Sequence, residues 1–282
     1  MISNLDLRWF GLILLCWVAG CSPSQRVEAP VLVNAVEVAP TPQLDALASE
    51  RRELRFAAED GVVLAGELTM PRGVARPPLV VIIHHSGPVT RDAYGYMAEL
   101  LVADGFAVFR FDKRGTGASG GRYGCCEAAD ALAAYRAAVA EVGINRCATL
   151  LVAQSLGTQL VAERFNDYLA TTPPLGIALL SNLLGPQEIA TLSVPIQIII
   201  AANETDRDRI GPQALAAHQA HQSAGASLYL AEGAEHSLFD VRDGPIDWMD
   251  PAWVTRYHRG AMDSLRAWLR ERVATAGACG AA

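Results

Sequence analysis

The sequence has no cluster of lysine and arginine, no C-x-x-C pair and no evident internal repeat. A nucleic-acid groove needs a basic stripe, and a chain with a formal net charge of −7 offers none, so nucleic acid is not an expected partner. Without a C-x-x-C pair a structural zinc site is not expected either. His218 and His221 stand three apart on an expected helix with no third ligand evident nearby, and they read as part of a polar helix face. Charged residues are scarce at 19%, against 51% hydrophobic in 282 residues. That composition excludes a disordered polypeptide and suffices for one sizeable core or two small ones.

What is present begins with an apolar run, RWFGLILLCWVAGC, which starts weakly basic at Arg8 and ends on small residues before Cys21. A bilayer core takes about 20 apolar residues to cross, so this run is too short to span one and reads as a targeting segment over 1–20. The stretch Val18, Ala19, Gly20, Cys21 resembles the bacterial lipobox. The resemblance implies lipidation of Cys21 and an acyl anchor that holds a soluble domain to a membrane of the bacterial cell envelope. Ser22 stands where an inner-membrane retention signal would carry aspartate, which points to the outer membrane, facing the periplasm. An ordinary cleaved signal, an uncleaved anchor and a buried helix are the other readings. Residues 21–49, rich in proline and alanine, are expected to form a tether. A folded domain is expected over 50–275 and a disordered tail over 276–282.

Within that domain, RRELRFAAEDGVVLAGELTMPRG predicts two strands around a turn at Asp60 and Gly61. Strand and helix patterns then alternate: PLVVIIHHSG, Ala93 to Ala103, FAVFRFD, Glu127 to Val142, and Ala148 to Ala153. Further strands are expected at GIALLSN, PIQIIIAA and ASLYLAE, with helices at Pro212 to Ala224 and Ala252 to Val273. This alternation predicts an α/β fold: a mostly parallel, doubly wound sheet of about eight strands with an N-terminal antiparallel hairpin. The short connection from Asn182 to Pro195 leaves no room for a large cap. Cys125, Cys126, Cys147 and Cys279 follow the tether, and buried or free thiols are the plain expectation; an intervening helix disfavours pairing Cys126 with Cys147.

In such a sheet, ligands sit beyond the carboxyl ends of the strands, so the loops found there carry the candidate chemistry. LLVAQSLGTQL places Ser155 between a strand and a helix, HHSGPVTRD follows the strand PLVVII, FDKRGTGASGG follows FAVFRF, and LYLAEGAEHSLFD brings His236 after the last strand. Across about Arg51 to Val273 the set resembles the α/β-hydrolase family, in its esterase, dienelactone-hydrolase-like or serine-aminopeptidase-like branches. FDKRGTGASGG is similar to that family's D-x-R-G-x-G-x-S turn, AQSLG to its nucleophile elbow and HHSGP to its oxyanion loop, and the order nucleophile, acid, histidine also agrees.

The resemblance implies Ser155 as nucleophile, His236 as its base and Asp206 as the acid that orients the imidazole, with Asp208 as the alternative acid. It implies backbone amides of Leu156 and Ser86 as the oxyanion hole, and it gives Asp112 and Arg114 a structural part. The chain departs from the pattern at Ala153 and His85, where the family usually has glycine. His84 and His85 either stabilise the loop or, for His85, point into the site; Trp248 and Trp253 either line the substrate cleft or are packing residues. Gly115, Gly117 and Gly120 also satisfy G-x-G-x-x-G after a strand, but RYGCC intervenes before the next helix, so no dinucleotide or other cofactor is expected. The implied function is hydrolysis of a small-molecule carboxylic ester through an acyl-enzyme. A peptidase or thioesterase with the same triad, and a non-catalytic lipoprotein with a binding role, are the alternatives.

Overall fold

A computed structural model describes residues 49–276. The expected targeting segment, Cys21, the tether up to residue 48, and the tail from 277 with Cys279 lie outside the described residues.

The first strands, β1 (Ser49–Ala57) and β2 (Val63–Pro71), pair antiparallel around the turn at Asp60 and Gly61. Gly61 has φ +82°, a left-handed conformation that glycine adopts without steric cost. Then follow β3 (Pro78–Ile83), α1 (Gly95–Ala103), β4 (Ala107–Phe111), α2 (Glu127–Ala140) and β5 (Asn145–Gln154). The second half adds α3 (Leu156–Glu163), α4 (Phe165–Thr171), β6 (Ile177–Leu180), the one-turn α5 (Pro186–Ile189), β7 (Ile196–Ala201), α6 (Ala214–His221), β8 (Ala226–Ala231) and α7 (Arg259–Thr275).

One eight-stranded sheet has the order β1-β2-β4-β3-β5-β6-β7-β8. The β1–β2 and β2–β4 pairs are antiparallel and the rest parallel, in agreement with the expected mostly parallel sheet and its N-terminal hairpin. The apolar runs are continuous because both faces are covered. Val81, Ile83, Leu151 and Ala153 pack with Leu132, Val161 and Tyr168 on one face, while Val80, Ile82, Leu150 and Val152 pack with Leu101 and Leu265 on the other. The register aligns the carboxyl ends of the parallel strands, with Ile83 beside Ala153 and Gln154 beside Leu180.

The turn after β4 is tied down by buried carboxylates. Asp112 accepts from the Arg91 guanidinium at 3.1 Å and from the Ala118 amide at 2.9 Å. Gly117 has φ +51°, and a Cβ there would lie 2.4 Å from the Asp112 carboxyl, so glycine is required. Arg114 bridges Asp130 on α2, at 2.7 and 2.9 Å, to Asp60 in the first hairpin, at 2.6 and 3.1 Å. The Gly115 amide donates to the Gly120 carbonyl at 2.9 Å, closing this loop on itself well before α2 begins.

The cysteines correct the expectation in part. Cys147 is disulfide-bonded, whereas Cys125 and Cys126 are free and exposed. Spacing alone carries no information on which thiols meet, because pairing depends on the Cβ separation that the fold sets.

Replacing Asp130 with alanine leaves the buried Arg114 guanidinium facing only the half-exposed Asp60. We expect a loss of about 3 kcal/mol of unfolding free energy, read from the urea midpoint at constant slope.

Candidate active site

β5 runs directly into α3 with one residue, Ser155, between them. Its φ of +51° and ψ of −119° are strained for a residue with a Cβ, and the strain lifts the hydroxyl off the end of the sheet. Neighbouring bonds hold this conformation. The Ser155 amide donates to the Leu180 carbonyl of β6 at 2.8 Å, and the Ser155 carbonyl accepts from the Thr158 hydroxyl at 2.7 Å. Gly157 is the glycine that the turn needs, since a Cβ there would stand 2.6 Å from the Ile83 carbonyl oxygen and 2.8 Å from that of His84. Ala153 lies in β5, among the residues with ordinary negative φ, so alanine meets the demand at that position.

Ser155 Oγ lies 2.9 Å from His236 Nε2, and His236 Nδ1 lies 2.6 Å from Glu204 Oε1. The histidine is also fixed through its backbone, whose carbonyl accepts a hydrogen bond from the buried Ser181 hydroxyl just past β6. An ionised Glu204 keeps the ring hydrogen on Nδ1, which leaves Nε2 as the acceptor for the Ser155 hydroxyl. Hydrogen bonding to Glu204 holds the imidazole pKa above its ordinary value, against the opposing effect of burial.

The carboxylate at His236 is therefore Glu204, and Asp206 and Asp208 are not brought to it. Glu204 is 16% exposed at its side chain, while Asp206 and Asp208 are 65% and 72% exposed and pair with Arg209 and Arg207. The cause is local. Glu204 stands in the turn leaving β7, whereas the Asp206 carbonyl already accepts from the Arg209 and Ile210 amides and starts a helical turn that faces its side chain outward. The sequence signal was the glutamate of NETD, which follows the strand most closely and is one methylene longer than the aspartates considered.

The loop after β3 has a separate support. The His85 amide donates to the Tyr94 hydroxyl at 2.9 Å and the Gly87 amide to the Tyr123 hydroxyl at 3.0 Å. The chain's only lysine, Lys113, donates from Nζ to the carbonyls of His85 at 2.8 Å and Gly87 at 3.1 Å. Its charge is balanced by Glu127 at 2.6 Å. The Ser86 amide takes part in none of the hydrogen bonds among the described residues, and nor does that of Leu156 at the start of α3. Sequence reasoning missed Lys113, which occupies the variable position of the D-x-R-G motif.

His84 and His85 part company. His84 is buried between Tyr94 and Phe111, with ring centroids 5.4 and 4.4 Å away, and burial pushes its pKa down to about 3, so it is a neutral packing residue. The His85 ring, likewise lowered chiefly by burial, lines a cavity of about 300 Å³. Gln154 and Ser237, neighbours of Ser155 and His236, line it too, together with Tyr94, Tyr96, Phe239, Trp248 and Trp253. The two tryptophans thus belong to the cleft. Away from it, His218 is buried with Nε2 2.9 Å from the Leu192 carbonyl, and His221 Nδ1 lies 2.8 Å from the Ala217 carbonyl. Among the described residues no group of three or more metal-ligating side chains occurs.

Comparison with known proteins agrees with this architecture. Residues 75–190 match the family model described as "Serine aminopeptidase, S33". An uncharacterized protein of Pseudomonas aeruginosa, PA2218, is 37% identical over 75 residues, a match that spans 26% of this chain and only 20% of that protein. A dienelactone hydrolase-like promiscuous phosphotriesterase from metagenomic libraries superimposes with a TM-score of 0.58 at 15% identity, covering 79% of this chain and 98% of that one. A Pyrococcus furiosus esterase gives 0.57 at 15% identity, covering 80% and 93%.

The Glu204 contact sets a titration. We expect the His236 ring to titrate above the ordinary value of about 6.5 and the Glu204→Gln variant to bring its midpoint down, followed by NMR of the imidazole signals. An unmoved midpoint would remove Glu204 as the cause.

Proposed function

We propose that this chain, which has the α/β-hydrolase fold, is a serine hydrolase that cleaves carboxylic esters through an acyl-enzyme, with Ser155 as nucleophile, His236 as general base and Glu204 as the orienting acid. One observation carries the reading: a continuous chain of contacts, 2.6 Å from Glu204 to His236 and 2.9 Å from His236 to Ser155, ends on a strained serine. A serine hydroxyl is a weak nucleophile at neutral pH and needs a base at this distance. Ser155 Oγ attacks the carbonyl carbon while its proton passes to His236 Nε2, and the ionised Glu204 stabilises the imidazolium without itself taking the proton. The imidazolium then protonates the leaving alkoxide. Water, deprotonated by the same ring, releases the acid and restores the serine.

Charge that develops on the carbonyl oxygen needs donors fixed in advance. Leu156 supplies one amide. For Ser86, the direction of the amide follows from peptide geometry: its N–H shares a planar trans unit with the His85 carbonyl and points the opposite way. Lys113 holds that carbonyl, so it sets where the Ser86 N–H points, and its positive charge polarises the same peptide.

Esters are favoured over peptides because no Asp, Glu, Lys or Arg lines the cavity beside Ser155. An aminopeptidase must neutralise a substrate ammonium, and burying that charge unpaired costs several kcal/mol. The departures at Ala153 and His85 do not favour a non-catalytic role, since neither residue has a positive φ that would require glycine. The reading extends to location: an acyl anchor at Cys21 would hold the enzyme in the cell envelope, in the outer membrane and facing the periplasm.

Steady-state kinetics and cell fractionation test these assignments. With p-nitrophenyl acetate, Ser155→Ala is expected to lower kcat on the order of a millionfold; Glu204→Gln should lower it about ten-thousandfold. The rate rises as His236 loses its proton, so the acid limb of kcat/KM should move to lower pH in Glu204→Gln. Normal turnover by Ser155→Ala would sink the mechanism. Lys113→Met, checked for folding by circular dichroism, should lower kcat about a hundredfold with KM nearly unchanged, as for a lost oxyanion donor. Cys21→Ser should move the full-length protein from the membrane to the soluble fraction of expressing bacteria, and unchanged fractionation would refute the anchor.

A further inference from the structure

The cavity beside Ser155 has a composition that its size alone does not explain. Tyr94, Tyr96 and Phe239 are buried and form its floor, while Trp253 and the 51% exposed Trp248 stand at its rim. The rings meet at steep angles. Phe239 lies 5.4 Å from Trp248 at 77°, 5.3 Å from Trp253 at 62° and 5.4 Å from Tyr96 at 67°. Trp248 and Trp253 are themselves 5.5 Å apart at 56°. Walls set this way present both ring edges, which are positive, and ring faces, which are negative.

We propose that this cavity is a subsite for one uncharged aromatic ring, and that the substrates are small esters of aromatic acids or aromatic alcohols. The inference rests on the serine-hydrolase reading above. A planar occupant finds an edge-to-face partner in more than one wall, a gain that a linear chain of equal carbon number does not have. The cavity, at about 300 Å³, is at the small end of ligand pockets, which suits a compact ring. A ring also enters with little conformational freedom to lose, whereas an alkyl chain must be ordered.

The polar groups in the lining point to the same occupant. The Gln154 amide donates to the Ser237 carbonyl at 3.0 Å, and the His85 Nδ1 lies against the Ser86 carbonyl. The His85 pKa is lowered, chiefly by burial, so the ring is neutral at ordinary pH. No charged group is offered to a substrate, which excludes carboxylated or ammonium-bearing rings. Trp248 is a large apolar side chain left half in solvent at the mouth, and an occupant ring would cover its inner face.

The test uses two pairs of esters matched in carbon number, benzyl acetate against heptyl acetate and methyl benzoate against methyl heptanoate, with acid release followed by pH-stat. For at least one pair, kcat/KM is expected to favour the aromatic member by about tenfold, and the favoured pair identifies the side of the scissile bond that enters the cavity. Trp253→Leu should reduce that ratio to about twofold. The same pairs are bound to Ser155→Ala and followed by tryptophan fluorescence, where the aromatic ester should again bind about tenfold more tightly. Equal or reversed preference in both readouts overturns the aromatic subsite while leaving the hydrolase intact. A wild-type protein that binds the aromatic ester preferentially but hydrolyses nothing overturns the hydrolase reading instead.

Discussion

The close approach of α3 to the end of β3 is the constraint on which the site depends. Gly157 rests against the Ile83 and His84 carbonyls with no room for a Cβ. That contact sets the first turn of α3 against the end of β3, just before the loop that carries Ser86. It also forces the strand-to-helix turn to be tight, and the tightness appears as the positive φ of Ser155. Strain of this kind costs on the order of 1–3 kcal/mol and persists because the surrounding bonds outweigh it.

Around this point the chain spends its few charges economically. Asp112, Arg114, Asp130 and Lys113 are all buried, and each is matched by a partner of opposite sign. None of them reaches the reacting atoms. They fix the loops after β3 and β4. A low-dielectric setting makes such pairs rigid when complete and costly when broken.

Much of this was legible in the sequence because it rests on periodicity. Alternating apolar runs gave the parallel sheet, and the loops at its carboxyl edge gave Ser155 and His236. Glu204 was not legible, because the choice among Glu204, Asp206 and Asp208 turns on where the helical turn after β7 begins, and that is set by backbone hydrogen bonds rather than by residue type. Lys113 was hidden for a related reason: besides Glu127, its partners are backbone carbonyls, which leave no mark in the sequence. The disulfide at Cys147 belongs to the same class, since it depends on distances in the folded chain.

The strand β6 supplies neither nucleophile, base nor acid, yet it touches both halves of the pair that must meet. Leu180 accepts from the Ser155 amide, and Ser181 donates to the His236 carbonyl. Both residues are thereby referenced to a single datum. Serine and histidine, 81 residues apart in the chain, thus share one backbone reference at the end of β6, and a substitution that displaces that strand end acts on both.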